Sequence, residues 1–217
     1  MRKFTVVFIL MICVICSVGC TKDIYTDRIS ELRQDIYTGN VDGATITAYY
    51  GFKETPYAAD GNVAEKIYGY TFYLSVIPDE VKRSFAISDG DKKNKADFSL
   101  DEITGEYKAF VESQKHFKKS FTVDYICGSE IKNVTLNSIV PENCIAYSDA
   151  MRSLTEKQRA LFDLYTVDGE FCAEIYMRVF VKNDTPYWYV ALVRSDKTKA
   201  LLIDGSSGEL LAVKDIM

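Results

Sequence analysis

The sequence predicts a mixed α+β, mainly β protein. Its N-terminal helix and antiparallel β-sandwich precede a small domain in which a helix covers an antiparallel sheet. Three observations predict this order. Apolar residues recur at helical spacing in residues 24–37, and they alternate with polar residues in several segments of residues 40–140. A second helical pattern, in residues 148–165, comes before four further strand patterns.

The first twenty residues have the layout of an export signal. Met1, Arg2 and Lys3 form a basic start, the apolar run from Phe4 to Val18 follows, and the small residue Gly19 comes next. About fifteen apolar residues are fewer than the roughly twenty that a membrane-spanning helix needs. We therefore expect a signal peptide over residues 1–19 rather than a permanent transmembrane helix.

The end of this segment, Ser17-Val18-Gly19-Cys20, resembles the lipobox of bacterial lipoproteins. The chain as a whole also resembles lipoproteins of Gram-positive bacteria. The resemblance implies that Cys20 carries lipid, becomes the mature N-terminus and holds the protein on the extracytoplasmic face of the cell membrane. The alternative is an ordinary cleaved secretion signal.

The charge of the mature chain excludes some partners. Removal of residues 1–19 takes away Arg2 and Lys3, which leaves 198 residues, 24 basic and 31 acidic side chains, and a net charge of −7. Nucleic-acid binding draws much of its affinity from Lys and Arg that neutralise phosphates. An acidic chain without a basic run is therefore not expected to bind nucleic acid, or to adhere electrostatically to anionic lipid.

Residues 20–39 are interpreted as the lipid anchor followed by an amphipathic helix. Tyr25, Ile29, Leu32 and Ile36 are spaced by four, three and four residues, with charged residues between them. Gly39 and Asn40 tolerate the left-handed conformation that ends many helices.

Residues 40–140 carry the alternation typical of strands. It is clearest in residues 44–52, 68–76 and 121–127, and residues 131–139 follow as the returning strand of a hairpin. The charged residues 89–97 are predicted to form an exposed loop. Strands of similar length separated by polar turns indicate an antiparallel sandwich, with an immunoglobulin-like arrangement as one option.

Residues 141–217 are predicted to be a separate α+β domain. Here the helix of residues 148–165 covers strands near residues 173–182, 187–194, 199–203 and 209–213. In the first of these strands Ile175, Met177 and Val179 face the core. The other face, Glu174, Tyr176 and Arg178, is the predicted partner-binding surface.

The last strands resemble the closing strands of PepSY-type modules. The matching residues are Tyr187-Trp188-Tyr189-Val190 and the run from Leu202 to Leu210, which contains an Asp, a Ser-Gly turn and a Glu-Leu pair. The resemblance implies a non-enzymatic module that binds or restrains another extracytoplasmic protein.

Few residues in the chain point to catalysis or metal binding. The single histidine, His116, lies between lysines and is expected to be an ordinary surface residue. Cys127, Cys144 and Cys172 remain after lipidation, an odd number that allows at most one disulfide, with Cys127–Cys144 as one option. No catalytic residue, cofactor or metal is predicted.

Two functions remain open at this point. The leading hypothesis is a membrane-anchored, non-enzymatic binding or regulatory module that acts on another envelope protein. The alternative is a cell-wall carbohydrate-binding or hydrolytic protein with a carboxylate-based site, because the positions of 31 acids relative to one another depend on the fold.

Overall fold

The computed structural model describes residues 25–56, 63–75, 82–89, 92–101 and 106–216. Two helices lie in the C-terminal half, α1 (Tyr147–Lys157) and α2 (Arg159–Asp163). The strands in the first half of this part of the chain are β1 (Ile29–Val41), β2 (Ala44–Thr55), β3 (Glu65–Leu74), β4 (Arg83–Asp89), β5 (Lys92–Asp97), β6 (Ser99–Leu100), β7 (Tyr107–Glu112), β8 (Ser120–Cys127) and β9 (Glu130–Ser138). Those in the second half are β10 (Thr166–Val167), β11 (Glu170–Phe171), β12 (Glu174–Lys182), β13 (Thr185–Arg194), β14 (Lys197–Asp204) and β15 (Leu210–Ile216).

Strands β1 to β9 form a nearly closed, barrel-like sheet. One side runs β1-β2-β3-β7 and the other runs β9-β8-β4-β5, and the two sides are joined where β9 pairs with β1. At the opposite seam β5 approaches β7, and the Asn94 side-chain amide donates a hydrogen bond to the Glu112 carbonyl over 2.7 Å. The predicted sandwich is therefore wrong. The expected strands β2 and β3 and the β8–β9 hairpin are present, but they wrap around one interior.

Strand β1 replaces the predicted N-terminal helix. Only residues 26–28 form a short 3₁₀ turn, and residues 29–41 are extended. Two bulges explain the helix-like spacing. The first bulge lies between Ile29 and Glu31, where β1 has one residue more than its partner β12. The second lies between Arg33 and Asp35, where β1 has one residue more than its partner β2. Each bulge shifts the alternation by one position.

The C-terminal strands extend the same sheet. Strands β12 to β15 form an antiparallel meander, and β12 pairs in parallel with β1, with Ile175 opposite Ile29 and Met177 opposite Leu32. The expectation of a separate helix-on-sheet, PepSY-like domain is thus wrong. The edge of β12 that such a domain would leave open is occupied by β1.

Two hydrophobic cores meet at β1. The C-terminal core gathers Ile175, Met177 and Trp188 with the helix residues Met151 and Phe162, and β1 adds Ile29, Leu32 and Ile36 to it. The barrel core lies inside strands β1 to β9, and β1 adds Tyr37 and Val41. The helical segment predicted over residues 148–165 is shorter and is broken at Gln158.

The shared strand predicts that both halves unfold together. Leu32 is 1 % exposed in the C-terminal core, so Leu32→Ala should lower the free energy of unfolding by about 2–5 kcal/mol. Urea unfolding should be followed by the fluorescence of Trp188, the single tryptophan, and by far-ultraviolet circular dichroism. Both transitions should shift to the same lower urea concentration. Leu211→Ala, at an edge-strand residue 48 % exposed, is the control with little expected change. A Trp188 transition unaffected by Leu32→Ala would contradict the shared core.

Candidate functional site

A cleft of about 720 Å³ lies where the barrel meets the C-terminal strands. Its size is within the range of small-ligand sites. The walls come from β1, the segment after β7, the end of β9 and the segment that leads into α1. The lining residues include Asp35, His116, Lys118, Ser138, Glu142, Cys144, Tyr147 and Trp188.

Asp35 is the polar centre of this cleft. The bulge after Arg33 places it on the inner side of β1, where it is 6 % exposed. One carboxylate oxygen accepts hydrogen bonds from the Ile36 amide (2.8 Å) and the Ser138 hydroxyl (2.6 Å). The other contacts the Tyr37 hydroxyl (2.9 Å) and Nε2 of His116 (3.2 Å). A carboxylate has about four acceptor positions, so these contacts saturate it and compensate its burial.

Buried tyrosines hold the segment of residues 113–119 against the barrel. The Tyr37 hydroxyl shares its single proton between Asp35 and the Phe117 carbonyl. The Tyr70 hydroxyl donates to the Lys115 carbonyl (3.1 Å) and accepts from the Phe117 amide (3.0 Å). Burial, followed by the negative charge of Asp35, raises the pKa of Tyr37 above its ordinary value, and burial also raises the pKa of Tyr70. Both phenols therefore remain protonated donors at neutral pH.

His116 is part of this arrangement rather than an ordinary surface residue. Its ring stacks on Tyr50, with centroids 4.4 Å apart and an interplanar angle of 6°, and its side chain is 29 % exposed. The carboxylate of Asp35 holds one ring nitrogen. The surface expectation for His116 is therefore wrong, since two partners fix its position in the cleft wall.

The arrangement differs from a serine-hydrolase site although it contains Ser, His and Asp. In such a site the histidine lies between the serine and the acid and takes the proton of the serine. Here Ser138 and His116 contact different oxygens of Asp35, and the serine proton is donated to the acid. The Asp35 carboxylate therefore acts here as a positioning group for Ser138 and His116.

Cys144 lies in the cleft wall, half-buried. Burial, with a smaller contribution from Asp35 and Asp204, raises the pKa of its thiol to about 11, so the thiol stays protonated at neutral pH. Cys127, Cys144 and Cys172 are all free thiols, which contradicts the Cys127–Cys144 disulfide option.

Ile145, the residue after Cys144, is fixed because its carbonyl accepts a hydrogen bond from the Trp188 indole (3.1 Å).

The entrance of the cleft carries charges of both signs. Lys119 and Glu142 form an ion pair of 3.0 Å, and their side chains are 84 % and 88 % exposed. Lys118 lines the same entrance. Exposed pairs of this kind contribute little to stability, and they are free to exchange partners when a charged ligand arrives.

The predicted site residues lie elsewhere. Cys20, the expected lipid attachment site, lies outside the described residues. Glu174 is not on an exposed face, because it is 2 % exposed and accepts a hydrogen bond from the Ser30 hydroxyl. Tyr176 is half-buried, and Arg178 is exposed with its guanidinium 4.8 Å from the centroid of the Tyr189 ring.

Sequence reasoning missed Asp35 and His116 as partners. The two residues are 81 positions apart, and only the barrel brings them together. One available sign was an acid, Asp35, directly before the apolar pair Ile36-Tyr37.

Within the described part of the chain, no group of three or more His, Cys, Asp or Glu side chains is placed to hold a metal ion. In that same part, no helix has the length and apolarity to span a membrane.

Comparison with known proteins gives little beyond this geometry. No protein-family model matches the chain, and no curated protein sequence is significantly similar to it. Among solved structures, the chain matches a crystal structure of a "putative lipoprotein" from Clostridium difficile. The two are 7 % identical, the match covers 63 % of this chain and 82 % of the other, and the TM-score is 0.26. A likeness this distant carries no argument about function.

The role of Asp35 as an organising residue predicts the effect of Asp35→Asn. The amide keeps the size but presents an NH₂ group to donors, and loss of even one charge-assisted hydrogen bond costs about 1.5–3 kcal/mol. Urea unfolding should show at least this loss, and hydrogen exchange of residues 113–119 should accelerate. Asp42→Asn is the matched control, because Asp42 pairs with Lys132 (2.6 Å) at the surface and is 54 % exposed. Equal and small effects of the two variants would contradict the role given to Asp35.

Proposed function

We propose that the protein is a lipid-anchored lipoprotein of the extracytoplasmic face that works by binding another envelope component in the Asp35 cleft. The observation that carries the binding role is the saturated Asp35 carboxylate at the centre of a ligand-sized cleft. Its hydrogen bonds position a wall of side chains around the cleft. The preferred occupant is a segment of another extracytoplasmic protein.

The anchor rests on the sequence of residues 1–20. A basic start, an apolar run and a small residue before Cys20 together match the signals that lead to lipidation. A lipid at Cys20 would leave few residues before β1 begins at Ile29. The cleft would then operate close to the membrane, where other anchored proteins are concentrated.

The charge at the cleft entrance suggests the character of the bound segment. Lys118 and Lys119 line it, together with the exposed acid Glu142. Asp35 lies deeper in the cleft, 6 % exposed, and its oxygens are turned toward their own hydrogen-bond donors. An acidic partner segment can displace Glu142 from Lys119, which costs little because that pair is exposed to water.

Lipidation is tested by metabolic labelling. Cells that express the full chain should incorporate a fatty-acid analogue into the wild-type protein and not into Cys20→Ala, because the thiol is the attachment point. Labelled protein is detected on a gel, and fractionation shows whether the variant leaves the membrane. Equal labelling of both proteins would exclude Cys20 as the lipid site.

The cleft is tested by site-specific photo-crosslinking in intact cells. A photoreactive amino acid at Glu142 should yield a discrete cross-linked product that mass spectrometry identifies as an envelope protein. The same amino acid at Glu130, 71 % exposed and at the other end of β9, is the control and should not form that product. Identical products from both positions, or no protein product at Glu142, would contradict a protein partner in the cleft.

A further inference from the structure

A second surface lies across the continuous sheet, on the face that carries Arg33 and Arg178. Strand register places five of its residues together, and a sixth, Lys53 on β2, reaches over the ring of Phe110. Arg33 on β1 is opposite Arg178 on β12, and Arg178 is opposite Tyr189 on β13. On the other side, Arg33 is opposite Gly51 on β2, and Thr71 on β3 is opposite both Tyr49 and Phe110. We call Lys53, Phe110, Tyr49, Arg33, Arg178 and Tyr189 the cation–aromatic row.

Three cations of this row are each held over an aromatic ring. The Lys53 ammonium lies 4.3 Å from the Phe110 ring centroid, the Arg33 guanidinium 5.3 Å from that of Tyr49, and the Arg178 guanidinium 4.8 Å from that of Tyr189. Such contacts fix the direction of long side chains while leaving their charge available to a ligand. The row is therefore ordered before any ligand binds.

The row is long and its middle is open. From β7 to β13 it crosses five strand spacings, which is about 24 Å at ~4.8 Å each. A groove of about 340 Å³ runs over β1, β2, β3 and β7, and Gly51 and Gly69 face each other in it. The backbone requires these glycines, because a Cβ at Gly51 would lie 1.7 Å from the Leu32 carbonyl oxygen. The two glycines thus let the backbones of β1 and β7 approach closely in the floor of the groove.

The charges of the row favour an anionic ligand. Arg33 is paired with Glu31 over 2.8 Å, whereas Lys53 and Arg178 have no ion-pair partner among the residues that the structure describes. Asp97, an acid at the groove edge, is neutralised by Lys82 over 2.6 Å. The two available cations are thus separated along the row and can each bind one acidic group.

We propose that this row binds a linear acidic oligosaccharide. The partly exposed rings of Phe110, Tyr49 and Tyr189 offer apolar surface beside the cations to sugar C–H groups. Lys53 and Arg178 bind carboxylate groups, and the length of the row fits a chain rather than a single sugar. A nucleic-acid strand would also present rings and charges, and tighter binding of a nucleic acid would identify it as the ligand instead. The site is separate from the Asp35 cleft and does not depend on its occupant.

Titration calorimetry with the purified protein, from Cys20 onward, tests this directly. The probe is a six-residue oligogalacturonate. Three compounds serve as controls. The methyl ester of the oligogalacturonate has the same sugar rings without the charge. An oligoglutamate and an oligothymidylate carry an equal charge on a peptide and on a nucleic-acid backbone. The oligogalacturonate should bind most tightly, and its affinity should fall as salt rises. Equal binding of the methyl ester, or tighter binding of the peptide or the nucleic acid, would overturn the proposal.

Variants locate the site. Lys53→Gln with Arg178→Gln should lower the affinity for oligogalacturonate by about tenfold or more, because two charge-assisted contacts are lost. Tyr189→Leu should weaken binding while Arg178 is retained. Lys157→Gln with Arg159→Gln removes the same charge from exposed residues of α1 and α2, on the core side of the sheet, and should change nothing. Unchanged binding by the row variants, with unfolding midpoints like that of the wild type, would show that the ligand binds elsewhere.

Discussion

Strand β1 is hydrogen-bonded to three other strands, and the rest of the structure depends on how it divides its edges among them. β2 follows one edge over almost its whole length, while β12 takes Ile29–Arg33 and β9 takes Tyr37 and Thr38 on the other. Because β1 is bulged twice, it can turn from the C-terminal core to the barrel core within a few residues. Its parallel pairing with β12 joins two antiparallel parts into one sheet.

Each bulge also places a polar residue in the interior. At the first, the Ser30 hydroxyl contacts the buried Glu174 carboxylate, and at the second, Asp35 turns into the cleft. Burial of a charge is costly unless hydrogen bonds replace water, and Asp35 receives four of them. Arg33, two residues before Asp35, lies instead on the outer face. The cleft and the cation–aromatic row therefore lie on opposite sides of one strand.

The strands with clean alternation could be predicted from sequence, and the irregular ones could not. Ile175, Met177 and Val179 face the C-terminal core as their spacing indicates, and the Asn183-Asp184 turn has the positive φ angles of 51° and 58° that suit a tight hairpin. In β1, Ile29 and Leu32 are both buried three residues apart because a bulge intervenes, and that spacing imitates a helix. β5 was predicted as a loop because Lys93 and Lys95 are charged, yet both occupy exposed positions of a strand that pairs with β4.

The candidate site was less predictable than the fold, because its residues come from distant parts of the chain. Ser138 lies 103 positions from Asp35, and His116 lies 81 positions away, so no local motif could connect them. Arg178 and Tyr176 were selected from the alternation of one strand, but their neighbour Arg33 became visible only through the parallel register. Glu174 shows the limit of alternation, since Ser30 covers the face on which it was expected to be exposed.

Native-state hydrogen exchange, resolved by peptide mass spectrometry, tests most directly whether β1 makes one structure of the two halves. If β1 joins them, slowly exchanging amides in residues 44–55 of β2 and residues 174–182 of β12 should share one opening free energy, equal to that of global unfolding. Both should respond equally to added urea. Exchange of residues 174–204 through a separate opening of lower free energy, with β1 and β2 still protected, would contradict this account.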